Sequence, residues 1–258
     1  MTKIHQQTFG KGQSIVLVHG WAMNSRIWLD FAQQLAQHFQ VTCIDLPGHG
    51  ESDKLSTFTL ENISHALVDA VSAEKSCWIG WSLGATVVLD LASRFPERVN
   101  SLILVAGNPS FTESADWAGV KKEVLEAFAD QLTKNTTATL LRFLSLQVKS
   151  VPNNKALLKQ LKATVMQSNS PDEATLQGGL EILKQADLRT TLASTNLPIG
   201  VILGAADSLV PDQIASQLLA IAPRLKLDVI EEAGHAPFLS HPEIVLTLIS
   251  NFMDEQCL

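Results

Sequence analysis

The chain has 258 residues, 46% of them hydrophobic and 17% charged, and a formal net charge of −7. That is ample apolar material for one large α/β core, and it excludes disorder, low complexity and a general affinity for nucleic acid. No apolar run approaches the roughly 18 residues that span a bilayer. The polar start MTKIHQQTFGKGQ lacks the charged-then-apolar pattern of a signal peptide, so a cytoplasmic protein without membrane association is expected.

SIVLVHG (14–20) is a short apolar run rich in β-branched residues and closed by glycine, which predicts a buried strand. Helical periodicity follows from Ile27 to Gln37, then VTCIDLPG as a strand, a helix from Thr59 to Val71, and SCWIGW as a strand. LGATVVLDLASRF predicts a helix stopped by Pro96, and SLILVAG (101–107) another strand. Strands separated by helices imply a largely parallel, doubly wound sheet covered on both faces.

The pattern changes after Pro109. Helices are expected over Asp116–Leu132, Thr136–Lys149, Asn153–Met166 and Asp172–Lys184, with no strand among them. Strands return with LPIGVILG (197–204) and KLDVI (226–230), each followed by a helix, the last over Glu243–Glu255. The expected organisation is one core, 1–110 and 187–258, interrupted by an all-helical lid over 111–186.

Gly80-Trp81-Ser82-Leu83-Gly84 is a G-x-S-x-G pentapeptide between a strand and a helix, the context of a nucleophile elbow. The turn there is too tight for side chains at both glycine positions, and it lifts the Ser82 hydroxyl to the start of a helix whose dipole favours negative charge. A serine hydroxyl needs a positioned base. Of seven histidines, His235 is favoured because it follows KLDVI on a loop at the carboxyl edge of the sheet, where catalytic groups collect. His19 is read as shaping its loop, His49 as a solvated or structural residue of the LPGHGES turn, His241 as starting the last helix, and His5, His38 and His65 as surface residues.

The carboxylate that orients the base is assigned to Asp207, which follows the strand IGVILG on a loop at the same edge. Asp45 is read as structural and Asp187 as a local partner for its neighbours. Oxyanion donors are expected from the N–H of Leu83, just after the nucleophile, and from the N–H of Trp21 in the loop His19-Gly20-Trp21. The three cysteines, Cys43, Cys77 and Cys257, are read as reduced thiols. No C-x-x-C or H-E-x-x-H occurs, and neither a metal nor any other cofactor is expected.

The order Ser82, Asp207, His235 is that of the α/β hydrolases. The motifs HGW, DLPGHGES, GWSLG and GHAPFLSHPE mark that superfamily. More specific are GGLEILKQADLR (178–189), RFLSLQ (142–147) and a tryptophan before the nucleophile. Through nearly its whole length the sequence resembles the pimeloyl-[acyl-carrier protein] methyl ester esterases of biotin synthesis. The resemblance implies an α/β-hydrolase fold, and a serine carboxylesterase that removes a methyl group from a seven-carbon diacid chain held on acyl carrier protein. The family's substrate-contacting positions match Trp21, Ser82, Leu83, Phe143, Leu144, Ser145, Leu146, Gln147 and His235, with Phe143, Leu144 and Leu146 implied as an apolar channel. Ala85 stands where relatives often carry a second glycine.

Charge is distributed in keeping with an acidic partner. Residues 111–186 hold nine basic and eight acidic residues, +1, whereas the rest holds ten and eighteen, −8. No Asp or Glu lies between Gln131 and Ser170, but Lys134, Arg142, Lys149, Lys155, Lys159 and Lys162 do. Lys155, Lys159 and Lys162 share one helix face, and a basic stripe steers an acidic protein such as the carrier. Docking is therefore assigned to Arg142, Lys149, Lys155, Lys159 and Lys162. By resemblance, Arg142, Lys155 and Lys159 match carrier-contacting positions, whereas Ala138 replaces a further arginine. A monomer is expected. A general short-chain carboxylesterase, a carbon–carbon bond hydrolase of the same fold and a ligand-sensing protein are the alternatives. Dehalogenases and epoxide hydrolases of this fold, which use an aspartate at the elbow, are disfavoured by Ser82.

Overall fold

A computed structural model describes residues 2–148, 151, 154–166 and 170–255. Seven strands form one sheet: β1 (Gln6–Phe9), β2 (Ser14–Val18), β3 (Gln40–Ile44), β4 (Ser76–Trp81), β5 (Val99–Val105), β6 (Ile199–Gly204) and β7 (Lys226–Ile230). Their order is β1-β3-β2-β4-β5-β6-β7, all parallel except β1, which pairs antiparallel with β3. Both faces are buried. Val16, Val18, Trp78, Leu102, Leu104, Val201 and Leu203 belong to one apolar cluster, and Ile15, Leu17, Cys77, Ile79, Ile103, Val105 and Ile202 to the other. Side chains alternate between faces along a strand, so a strand covered on both sides reads as an unbroken apolar run.

The helices are α1 (Leu29–Leu35), α2 (Leu60–Ala70), α3 (Leu83–Arg94), α4 (Lys122–Lys134), α5 (Thr136–Gln147), α6 (Asn154–Met166), α7 (Glu173–Gln185), α8 (Arg189–Ser194), α9 (Ile214–Ile221), α10 (Pro237–Ser240) and α11 (Pro242–Glu255). Helices α4 to α8 all lie between β5 and β6. Among the described residues, no helix is long and apolar enough to cross a membrane.

Two departures from the sequence reading have physical causes. The helix expected from Asp116 begins only at Lys122. Residues 112–120 instead fold back on themselves, with bridges Thr112–Val120 and Ser114–Trp117, a Ser114–Asp116 side-chain bond, and the Trp117 indole donating to the Ser110 carbonyl. Short polar side chains that bond locally compete with helix here. Strand β1 was not anticipated because QQTF is mostly exposed and has no apolar alternation. Burial pushes the thiols of Cys43 and Cys77 up to about 12, consistent with inert core cysteines. Lys149 and Cys257 lie outside the described residues.

The sheet runs in two directions from its middle. From β2 the chain moves outward to β3, and from β4 it moves the other way through β5, β6 and β7. The loops leaving β2 and β4 therefore flank a topological switch point, the crevice where open α/β sheets bind ligands.

Candidate active site

Ser82 joins β4 to α3 with φ 56° and ψ −118°, a strained conformation for a side chain larger than glycine. The turn is held by close contacts on both sides. A Cβ at Gly80 would collide with the Gly84 backbone, and one at Gly84 would stand 2.5 Å from the Val18 carbonyl oxygen. The elbow is thus wedged between its own helix and the end of β2. Leu83 is the first residue of α3, so its N–H has no acceptor within the helix.

Two loops distant in sequence converge on this serine. Ser82 Oγ lies 2.8 Å from His235 Nε2, and His235 Nδ1 lies 2.8 Å from Asp207 Oδ2. The other carboxylate oxygen, Oδ1, accepts the N–H groups of Leu209 (2.7 Å) and Val210 (3.1 Å). With Oδ1 occupied, Oδ2 faces the ring and fixes Nδ1 as donor, leaving Nε2 to accept the serine proton. Behind the histidine, the Trp81 indole donates to the His235 carbonyl at 2.6 Å. Ser82 is 3% exposed and His235 0%, so the pair is sealed from solvent.

The last turn of α5 ties the helical insertion to both loops. Helix ends leave their final carbonyls without intrahelical partners. Here the Leu146 carbonyl accepts from Ser208 Oγ (3.0 Å) and the Gln147 carbonyl from His235 N–H (3.3 Å). Ser208, next to Asp207, and the backbone of His235 itself thereby tie the end of α5 to the two loops of the triad.

The loop after β2 carries Trp21. Its indole Nε1–H donates to the Leu176 carbonyl in α7 (2.9 Å), and its ring meets Phe143 edge-on at 4.7 Å. Gly179 lies against the same indole, where a Cβ would fall 2.6 Å from Cδ1. His19 and His49 are fully buried with their rings 5.2 Å apart, close to Asp45. Asp45 is structural, accepting Ser25 N–H (2.6 Å) and Glu51 N–H (2.9 Å), and Asp187 pairs locally with Arg189 (2.6 Å).

Burial, and secondarily the neighbouring His19, lowers the His49 pKa to about 3, against weaker opposing effects of the Pro47 carbonyl, Asp45 and Asp172. A proton therefore binds the unfolded chain more readily than the folded one between about pH 6.5 and 3. The folded state is at full strength above that window and weakens as pH falls through it. By pH 5 the loss from this group is about 2 kcal/mol. Urea unfolding at pH 7 and pH 5 is expected to show that loss in the wild type and a smaller one in His49→Gln. Equal losses would mean that another group governs acid sensitivity.

A family model described as the alpha/beta hydrolase fold matches residues 13–242. Over 254 residues the chain is 39% identical to the pimeloyl-[acyl-carrier protein] methyl ester esterase of Serratia marcescens, covering 98% of this chain and 99% of that one. Over 255 residues it is 37% identical to the protein of the same name from Aliivibrio salmonicida (strain LFI1238), covering 99% and 97%. The chain belongs to the pimeloyl-[acyl-carrier protein] methyl ester esterase family of α/β hydrolases. Among solved structures it is similar to the esterase EaEST from Exiguobacterium antarcticum (TM-score 0.87, 23% identity, 98% and 96% covered) and to a bromoperoxidase from Bacillus anthracis (TM-score 0.87, 18% identity, 98% and 96% covered). At such identities these two likenesses speak for the fold alone.

The positions expected from the sequence to contact substrate differ in exposure. Phe143, Leu144 and Gln147 are buried, and Gln147 Oε1 has no hydrogen-bond partner among the described residues. Leu146 is half-buried, while Ser145 is exposed with its hydroxyl turned back to the Leu141 carbonyl (2.8 Å). Of the residues expected to dock a carrier, Arg142, Lys155 and Lys159 are exposed and Lys162 half-buried. The Arg142 guanidinium lies 5.6 Å from the Phe128 ring centroid. Sequence reasoning missed Asn108, three residues beyond β5. It is 2% exposed, neither polar atom of its side chain has a partner among the described residues, and the preceding Gly107 packs on the Ser82 backbone. Its only sequence signal was a polar residue at the carboxyl end of a core strand.

Proposed function

We propose that the chain hydrolyses the methyl ester of a pimeloyl chain carried on acyl carrier protein, releasing methanol, as a cytoplasmic monomer serving biotin synthesis. The observation that carries this reading is the hydrogen-bonded series Ser82–His235–Asp207, at 2.8 Å per link, in a chain that matches named esterases over nearly its whole length.

His235 takes the Ser82 proton as Oγ attacks the ester carbonyl, and the Asp207 carboxylate stabilises the imidazolium. The N–H groups of Trp21 and Leu83 receive the oxyanion. Protonated His235 then gives its proton to the departing methoxide, leaving methanol and an acyl-serine. Water, deprotonated by His235, attacks the acyl carbonyl. Collapse returns the proton to Ser82 Oγ and releases the carboxylate. Residues 111–186 act as a lid, with Phe143, Leu144 and Leu146 along the acyl chain and Gln147 near its reacting end. Ser145, facing solvent, is assigned to the outer mouth of that path.

The carrier docks on Arg142, Lys155, Lys159 and Lys162, with Lys149 between them in sequence. Exposed charges steer an oppositely charged partner and are screened beyond roughly 10 Å at 0.1 M salt. The decisive comparison is kcat/KM for methyl pimeloyl on acyl carrier protein against dimethyl pimelate free in solution. A preference for the carried ester of about tenfold or more, shrinking as salt rises, is expected. Equal, salt-indifferent turnover of both would leave a general carboxylesterase instead.

A further inference from the structure

The oxyanion assignment leaves open what aims the Trp21 N–H. The loop that carries it is not regular structure: Met23 N–H donates to the Gly20 carbonyl at 3.3 Å, and Ala22 takes a positive φ of 60° at a turn position that usually needs glycine. A second donor meets the same carbonyl. His19 Nδ1 lies 2.8 Å from Gly20 O, while His19 Nε2 accepts the Leu46 N–H at 2.9 Å. The Leu46 amide can only donate, so Nε2 is unprotonated and Nδ1 carries the hydrogen given to Gly20 O. The ring is 0% exposed, and burial lowers its pKa, in keeping with a neutral imidazole.

The Gly20 carbonyl and the Trp21 N–H belong to one planar, trans peptide, so they point in opposite directions. Fixing one fixes the other. Gly20 itself abuts the nucleophile, for a Cβ there would stand 3.1 Å from Ser82 Cβ. We propose that His19 is a positioning residue for ester hydrolysis: locked by the Leu46 amide, its ring holds the Gly20 carbonyl and so turns the Trp21 N–H toward the oxyanion forming at Ser82. This rests on the esterase reading above and adds to it the residue that sets the oxyanion donor.

The two halves of the imidazole can be removed separately. An asparagine amide reaches the Nδ1 position and can still donate to Gly20 O. A glutamine reaches the Nε2 position and can still accept from Leu46. His19→Gln is expected to lower kcat for dimethyl pimelate by about a hundredfold, the effect of losing one oxyanion donor. KM should stay within about threefold, and affinity for a trifluoromethyl ketone, which forms the tetrahedral adduct, should fall in parallel with kcat. His19→Asn is expected to retain most of kcat. Wild-type kcat and ketone affinity in His19→Gln, or equal losses in the two variants, would overturn the proposal. Should either variant fail to fold, nitrogen-15 NMR of the wild-type imidazoles decides: protonation of His19 at Nδ1 is required, and protonation at Nε2 overturns it. Absence of ester turnover in the wild type would instead sink the esterase reading and this proposal with it.

Discussion

Ser82→Ala is expected to lower kcat by about six orders of magnitude. Its hydroxyl forms the acyl-enzyme bond through which both steps of the proposed reaction pass, and it is the group from which His235 takes a proton at 2.8 Å. The substitution removes one buried oxygen without enlarging the side chain, so the elbow, already strained at φ 56°, has no new clash to accommodate. A residual rate of about a thousandfold over water is expected from the oxyanion donors and binding alone. Substrate affinity should survive, and Ser82→Ala should hold carrier-borne methyl ester without consuming it. The check is a single-turnover assay beside an equilibrium binding measurement. Turnover at a substantial fraction of wild type would remove Ser82 from the mechanism.

Asp207→Asn is expected to lower kcat by about ten-thousandfold while leaving the fold intact. The amides of Leu209 and Val210 both donate to Oδ1. In the variant the amide oxygen must stay with those two donors, which forces the new NH2 group against His235 Nδ1. A donor there requires Nδ1 to be unprotonated, so the ring proton moves to Nε2, facing Ser82. A base protonated on its working nitrogen cannot take the serine proton. Steady-state kinetics with thermal unfolding as a control tests this. A variant that keeps activity within about tenfold would show that Asp207 does not set the ring's tautomer.

How much of this was legible in the chain depends on how local each signal is. Strands β2, β4 and β6 are covered on both faces and announced themselves as apolar runs with glycine in or just beyond their last two residues. The elbow was legible because a strand, a tight turn and a helix are contiguous around Ser82. His235 and Asp207 were legible from their places just beyond core strands. The edge strand β1 was not, since its side chains are mostly exposed and its identity comes from pairing with β3. Partnerships across the fold were equally silent: the Trp81 indole finds the His235 carbonyl 154 residues away, and the Trp21 indole finds Leu176 at a separation of 155. His19 was read as shaping its loop, but its two bonds to Gly20 and Leu46 depend on β2 and β3 lying side by side. Nor could composition tell that Ser145 turns outward while Phe143 and Gln147 turn in.

The paired glycines of α7 have a thermodynamic side. Gly179 lies against the Trp21 indole, and at Gly178 a Cβ would stand 2.9 Å from Phe58 Cβ. Each glycine inside a helix costs about 1 kcal/mol of intrinsic helix propensity relative to alanine. The helix that touches the tryptophan therefore carries a penalty of its own, which only contact with the core offsets. Separated from Trp21 and Phe58, this stretch loses the packing that justifies its glycines and softens where it lets go. The close approach of Trp21 and Phe58 therefore shares with the buried Leu176, Leu180, Ile182 and Leu183 the task of offsetting that cost. The loop that carries the Trp21 amide is fastened to the part of α7 with the least helix propensity of its own.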